Sequence, residues 1–188
     1  MWNRQNTKMS KGFTLVEVMV AILIILVGLL GVFSATQRII SYITLSNSKL
    51  TASYLAQEGL ELVRNIRDNN WLSLPASPWD AGLDNTLVDC SPTSPVPTGC
   101  EIDYDDLVLA EIVGTGNFLN IESASGFYGY NAIGNPTKFK RKITIEPEED
   151  ATLPSDGNYD ILKVTVEIKW NERGADHNIT VKGNLHDW

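Results

Sequence analysis

Histidine is the side chain that most often performs acid–base chemistry or binds a metal near neutral pH. This chain of 188 residues has two, His177 and His186, nine residues apart near its C-terminal end. No Gly-x-Ser-x-Gly, His-Glu-x-x-His or phosphate-binding glycine motif accompanies them. The sequence therefore predicts no enzyme, no catalytic residue and no cofactor, and we interpret both histidines as ordinary surface or core residues.

Carboxylates cluster at Asp103, Asp105 and Asp106. Three carboxylates can contribute to a calcium site, but this spacing lacks the glycine and distal glutamate of an EF-hand loop. A solvated acidic loop is the favoured interpretation, and we predict no metal site. The stretch from Asp68 to Thr137 holds ten Asp and Glu and no Lys or Arg, which argues against nucleic acid as a partner.

Glu17 is the one charged residue in the apolar run from Phe13 to Phe33. As a helix, that run would span about 32 Å, enough to cross a bilayer. Residues 1–12 contain three cations and no acid (Arg4, Lys8 and Lys11). Because a positive flank stays in the cytoplasm, we predict one pass through the membrane, contact with its lipid, and an exported C-terminal region. An acid in such a helix needs a partner.

The two cysteines, Cys90 and Cys100, both follow the apolar run. An even pair this close together in an exported region predicts a disulfide. Reduced structural thiols are the alternative. Two thiolates without a nearby histidine make a poor metal site.

The segment Lys11-Gly12-Phe13-Thr14-Leu15-Val16-Glu17-Val18 resembles the cleavage and methylation motif of type IV prepilins and type II secretion pseudopilins. The resemblance is specific from Lys11 to about Arg38. Within it, Leu26-Val27-Gly28-Leu29-Leu30-Gly31 is most similar to V-type minor pilins and to I-type pseudopilins. Major pilins often have a helix-bending proline at the position of Ser34.

The resemblance implies a sequence of maturation steps. A membrane-embedded prepilin peptidase would cut after Gly12 and methylate the new N-terminal amine of Phe13. Within one helix the new Phe13 amine would lie one turn from Glu17 and is the nearest candidate partner. The resemblance implies that the mature helix enters a filament, where Glu17 pairs instead with the Phe13 amine of a neighbouring subunit. The implied partners are that peptidase and methyltransferase, other pilin subunits and an assembly platform in the inner membrane. Losing the leader would change the formal charge from −8 to −11.

The helix is predicted to continue to about Asn69, roughly 85 Å from Phe13, so that part of it must protrude from the domain. Its second half has one apolar face, formed by Ala52, Leu55, Ala56, Gly59, Leu62, Val63 and Ile66. The opposite face carries Gln57, Glu58, Glu61, Arg64 and Arg67. Since glycine weakens a helix, Gly59 indicates a close approach to a packed sheet.

Three alternating segments predict antiparallel strands at Lys138–Ile145, Ile161–Trp170 and Asn178–Leu185. Shorter strands are predicted at Leu107–Val113 and Phe118–Ile121, within a region rich in turn residues. The connections are expected at Glu146–Asp160, which contains prolines, and at Asn171–Asp176, which contains Gly174.

The predicted fold is α+β and pilin-like: a long N-terminal helix, first transmembrane and then amphipathic, packed on a C-terminal antiparallel meander. The expected pieces are a removed leader, 1–12; a transmembrane helix, 13–33; an amphipathic helix, 34–70; an acidic, loop-rich region, 71–137; and the sheet, 138–188. The predicted function is a minor subunit of a type IV pilus, located in the inner membrane before assembly. A type II secretion pseudopilin and a signal-anchored domain that is not assembled remain open.

Overall fold

The computed structural model describes residues 12–73, 77–84, 88–92, 99–112, 114, 116–130, 134–149 and 159–187. Within them lie one helix and eight strands: α1 (Leu15–Leu72), β1 (Cys100–Glu101), β2 (Ala110–Glu111), β3 (Asn120–Ile121), β4 (Tyr128–Gly129), β5 (Asn135–Pro136), β6 (Phe139–Glu148), β7 (Ile161–Glu172) and β8 (Ala175–His186). The chain divides into two compact units, Met1–Ser46 and Asn47–Trp188.

The first unit, where it is described, consists of the N-terminal part of α1 and the three residues before it. Its large apolar side chains from Phe13 to Phe33 are all exposed. Among the described residues, α1 is the one helix long and apolar enough to cross a membrane, with a mean hydropathy of 2.9 over its most apolar window. A wholly exposed apolar surface of this kind needs lipid or other helices around it.

The second unit is built on a five-stranded antiparallel sheet with the order β2-β1-β6-β7-β8. Its three long strands confirm the predicted meander. β7 and β8 extend the predicted strands, whereas β6 begins one residue later than predicted, at Phe139, and ends three residues later, at Glu148. β6 continues through Pro147, which lies opposite Leu162 in β7, although the sequence placed that proline in a connection. The connection of β7 to β8 is also shorter than predicted, because Glu172 already pairs with Ala175.

The turn between β7 and β8 consists of two residues with positive φ, Arg173 at 53° and Gly174 at 82°. Two successive residues in this region form the hairpin turn whose twist matches that of antiparallel strands. The predicted short strands are smaller than expected. Only Ala110–Glu111 and Asn120–Ile121 are paired, and the end of the first prediction, Val113, lies outside the described residues.

Within the second unit, α1 packs on the sheet through the predicted stripe, and Gly59 is the point of closest approach. A Cβ at Gly59 would lie 2.9 Å from Val166 Cγ1 and 3.0 Å from Arg141 Cδ. The stripe differs from the prediction at its margins: Leu60 is buried and Leu62 only half-buried, and Arg67 is buried although it was assigned to the solvent face. Leu60 turns inward because Gly183 on β8 leaves room for it.

A buried arginine connects the layers of this unit. Arg141 lies on the helix-facing side of β6 and is 1% exposed. Its Nη2 donates to Ile102 O at 2.7 Å, and its Nη1 donates to Glu58 Oε1 at 3.2 Å. One side chain thus joins the helix, β6 and the segment after β1, and the hydrogen bonds offset part of the cost of burying its charge.

A polar cluster fastens the start of the second unit's helix to the sheet. Lys138 Nζ donates to Ser48 Oγ at 2.7 Å and also contacts the Glu172 carboxylate, which accepts from Ser48 Oγ at 2.8 Å. The hydrogen bonds from Lys138 and Ser48 lower the pKa of Glu172 below its ordinary value. The cluster therefore favours the ionised carboxylate.

The disulfide and a small second sheet hold the loop-rich region against the five-stranded sheet. Cys90 is bonded to Cys100, ten residues away at the start of β1. Both cysteines are buried, and Cys90 O accepts a hydrogen bond from Ile145 N on β6. The second sheet has the order β4-β3-β5, and Leu119 N beside it donates to Phe139 O at 2.8 Å.

Candidate functional site

The N-terminal start of α1 carries the residues on which the predicted function depends. Thr14 immediately precedes the helix, and its Oγ1 accepts a hydrogen bond from Glu17 N at 3.3 Å. Thr14 O accepts the first helical bond, from Val18 N at 3.2 Å. This is the geometry of a helix N-cap, and threonine followed three residues later by glutamate is the capping-box pattern.

The sequence analysis missed this cap, although the Thr-x-x-Glu signal was present in the sequence, and Glu17 takes part in it through its backbone N–H. A carboxylate in the first turn also interacts favourably with the positive end of the helix dipole. The cap is worth about 0.5–2 kcal/mol and depends on the Thr14 side chain, whereas the dipole interaction of the Glu17 carboxylate is worth about 0.3–1 kcal/mol. The dipole interaction alone is smaller than the cost of about 2.5–3.5 kcal/mol for an acid at the centre of a membrane helix, and Glu17 in the first turn faces less than that full cost.

The carboxylate of Glu17 forms no ion pair within the part of the chain that the structure describes, which begins at Gly12. Its neighbours along the helix, from Leu15 to Val20, are exposed apolar residues. An acidic side chain on an apolar surface can form an ion pair with a positively charged group of another molecule. The amine of a cleaved Phe13 has the required charge.

The backbone at Gly12 is accessible, as a peptidase would require. Gly12 is exposed and lies before the helix, outside regular secondary structure, and no atom beyond its chain neighbours lies within 4 Å of the position that its Cβ would occupy. Phe13 beside it is 81% exposed. Enzymatic cleavage needs such an open, non-helical bond, because a helical backbone hides its peptide groups in hydrogen bonds.

The helix continues without interruption through Ser34, the position at which major pilins often have proline. Every residue from Leu15 to Leu72 is helical. A serine keeps its backbone N–H in the helical ladder, whereas proline would remove it.

The structure does not bring the two histidines into one site. His177 and His186 lie nine residues apart on β8, which places them about 30 Å apart along the strand and on opposite faces of the sheet. His177 stacks on Trp170 with a ring-centroid distance of 5.4 Å. This packing is that of a structural residue.

In the acidic cluster of Asp103, Asp105 and Asp106, one carboxylate is already hydrogen-bonded to backbone groups of the chain. Asp103 accepts hydrogen bonds from the backbone N–H groups of Tyr104 at 2.8 Å and Tyr130 at 3.0 Å. Asp105 and Asp106 are exposed. No group of three or more His, Cys, Asp or Glu side chains among the described residues is arranged to hold a metal ion.

A known family model matches the N-terminal segment of the chain. Residues 7–33 match the family model described as the prokaryotic N-terminal methylation motif. No curated protein and no solved structure matches the chain significantly. The match is consistent with a type IV pilin or pseudopilin, and it covers Lys8 and Lys11 of the basic flank, the glycine–phenylalanine bond, the acid and the apolar part of the helix.

Proposed function

We propose that this chain is the precursor of a structural subunit of a type IV pilus or a related filament. The observation that carries the proposal is the N-terminal methylation motif at residues 7–33, which includes the exposed apolar start of α1. A secretory signal would lose its apolar segment on cleavage. Cleavage after Gly12 instead leaves the whole helix attached to the exported domain.

The proposed maturation has two steps, both at the cytoplasmic face of the inner membrane. The prepilin peptidase cuts the peptide bond between Gly12 and Phe13, and a methyl group is then transferred to the Phe13 amine. The basic leader keeps this bond on the cytoplasmic side. An accessible Gly12 supports the first step, since no side chain blocks the backbone.

Assembly follows from burying the exposed helix among those of other subunits. Once buried there, Glu17 would be a costly unpaired charge, and the Phe13 amine of the next subunit would be another. Pairing the two satisfies both and fixes the axial register of neighbouring helices. An assembly platform in the inner membrane is the partner that would lift the subunit out of the lipid.

The segment Leu26–Gly31, which resembles V-type minor pilins, favours a minor subunit of a type IV pilus over a major one. The same segment is also similar to I-type pseudopilins of type II secretion. Filament type is therefore the next distinction to make. The two filament types can be distinguished by deleting the assembly ATPase of each system in turn. The deletion that removes this subunit from sheared filaments identifies the filament to which it belongs.

Replacing Glu17 tests the assembly step. Glu17→Ala removes a charge from a membrane helix, so insertion should be as good as in the wild type or better. Incorporation into filaments should nevertheless fall about tenfold or more, since an unpaired buried amine costs several kcal/mol. The measurement is the ratio of variant to wild type in sheared filaments, divided by the same ratio in membranes.

Glu17→Asp is the matched control, because it retains the carboxylate and should restore part of the incorporation. Methylation of Phe13 must be measured in parallel, since loss of the acid can also affect that step. Equal ratios of Glu17→Ala to wild type in filaments and membranes would mean that Glu17 has no role in assembly. The role of its side chain would then be limited to a favourable interaction with the dipole of α1.

A further inference from the structure

The solvent-facing side of the five-stranded sheet contains an unusual pair of like charges. Lys140 on β6 lies directly opposite Lys169 on β7, and alternation puts both side chains on the face away from the helix. Like charges in directly opposed positions destabilise a sheet. The pair occurs in a chain whose formal net charge is −8.

The surroundings of this pair are positive overall. Lys169 Nζ lies 3.2 Å from Glu167 Oε2, but Glu167 is shared with Lys142, whose Nζ is 3.8 Å from the same oxygen. Lys140 Nζ donates to Gly116 O at 3.0 Å and lies 4.4 Å from the centre of the Phe118 ring. One carboxylate thus serves two lysines, and a third lysine is held beside an aromatic ring.

A cleft of about 550 Å³ opens at this pair of lysines. Its lining includes Phe118, Lys140, Lys169, Asn171, Asp176 and Asn178. The volume lies within the range of small-molecule sites, about 300–1,000 Å³. Phe118 is 51% exposed, which leaves part of the ring free to pack against a ligand even with Lys140 beside it.

We propose that this cleft binds an acidic saccharide, a sugar chain that carries carboxylates on its rings. The two lysines would donate charge-assisted hydrogen bonds to a sugar carboxylate. Asn178 and Asp176 supply polar groups suited to ring hydroxyls. The exposed part of Phe118 provides an apolar surface for the C–H face of a sugar ring.

Asp176 distinguishes this ligand from an acidic peptide. A carboxylate in the cleft repels every anionic group, whether of a peptide or of a sugar, but it can accept hydrogen bonds from ring hydroxyls, which the side chains of Asp and Glu do not have. Asp176 is held in place, since its Oδ1 accepts from Asn171 Nδ2 at 2.7 Å. The acceptor is therefore a fixed part of the cleft, and hydroxyls together with carboxylate are the chemistry that matches it.

The test is calorimetric titration of the purified full-length protein, in zwitterionic lipid nanodiscs, with a trimer of galacturonate. The same trimer with its carboxylates methyl-esterified is the matched neutral ligand. The wild type should bind the acidic trimer about tenfold or more tightly than the ester, and Lys169→Gln should lose about the same factor. Phe118→Ala should weaken binding of the acidic trimer as well.

Lys182→Gln is the matched control variant, because Lys182 is an exposed lysine on β8 that does not line the cleft. It should bind the trimer as the wild type does. A short polyglutamate should compete poorly. Equal weakening by Lys182→Gln and Lys169→Gln, equal binding of polyglutamate, or no binding of the acidic trimer would each overturn the proposal. Circular dichroism of each variant must match the wild type, so that unfolding is not read as lost binding.

Discussion

Gly59 shows how a single missing side chain sets the distance between helix and sheet. Sequence periodicity placed this glycine on the apolar stripe, and the cost of glycine in a helix suggested a steric reason for it. The structure supplies that reason in Val166 and the aliphatic part of Arg141. Arg141 cannot move away easily, because both of its terminal nitrogens are hydrogen-bonded.

Gly59→Ala is therefore expected to destabilise the protein although alanine is the better helix former. The gain in helix propensity is about 1 kcal/mol, and overpacking a core costs about 1–3 kcal/mol. The full-length protein in detergent should unfold at a lower denaturant concentration than the wild type. Gln57→Ala, on the exposed face of the same helical turn, is the control and should be neutral or slightly stabilising. An increase in stability for Gly59→Ala would show that the helix and sheet are not in close contact.

The lowered pKa of Glu172 predicts how the stability of the fold depends on pH. Its pKa is lowered in the folded protein by hydrogen bonds from Lys138 and Ser48. A lowered pKa means that the interaction is fully present above the pKa of the unfolded state, ordinarily 4.5, and is lost as the pH falls through the folded value. The wild type should thus be more stable than Glu172→Gln at neutral pH.

That difference in melting temperature should shrink as the pH falls below 4.5. The comparison is Asp176→Asn, which replaces an exposed acid on β8 that forms no hydrogen bond with Lys138 or Ser48 in this cluster. A difference between wild type and Glu172→Gln that stays constant across the whole titration would mean that ionisation of Glu172 does not stabilise the fold.

At the scale of elements, long periodic segments were predictable and two-residue strands were not. The alternation in β7 and the stripe on α1 each contain enough residues for one period to dominate. β1 and β2 are two residues long, and their pairing is determined by the neighbouring β6 and the disulfide. Arg141 could be placed on the inner face by alternation, but its acceptor Ile102 O belongs to a segment whose position only the folded chain reveals.

The cleft could not be predicted from the sequence either, because its lining residues come together only in the folded chain. Lys140 and Lys169 are separated by 29 positions in the sequence, and only the register of β6 against β7 makes them opposite neighbours. The N-terminal motif is the contrasting case. Its residues are contiguous, so their relation could be inferred without any tertiary structure.

The disulfide gives a prediction at this scale. Cys90 and Cys100 close a short loop that fixes the start of β1 beside β6, and a loop of this length is worth roughly 3 kcal/mol or less. Protein purified from an exporting cell, unfolded without reductant, should have no free thiols and should gain two on reduction. Two thiols before reduction would refute the bond, and a Cys90→Ser, Cys100→Ser variant should unfold more readily than the wild type.

At the scale of the whole molecule, the two units differ in whether their apolar side chains are exposed or buried. The described part of the first unit exposes apolar side chains along α1, whereas the second unit buries a core between helix and sheet. A chain of this kind needs a membrane or a bundle of similar helices around its first unit. That requirement agrees with membrane anchoring, and a filament core would provide the same environment after assembly.

The most direct test of the account is the mass of the N-terminus after the protein meets a prepilin peptidase. The full-length chain should be produced with and without that enzyme, and each product analysed by intact and fragment mass spectrometry. With the peptidase, the account predicts a protein that begins at Phe13 and carries one N-methyl group. Gly12→Leu should remain uncut, because a bulky side chain blocks the backbone. A wild-type chain that retains Met1 through Gly12 in the presence of active peptidase would contradict the central claim.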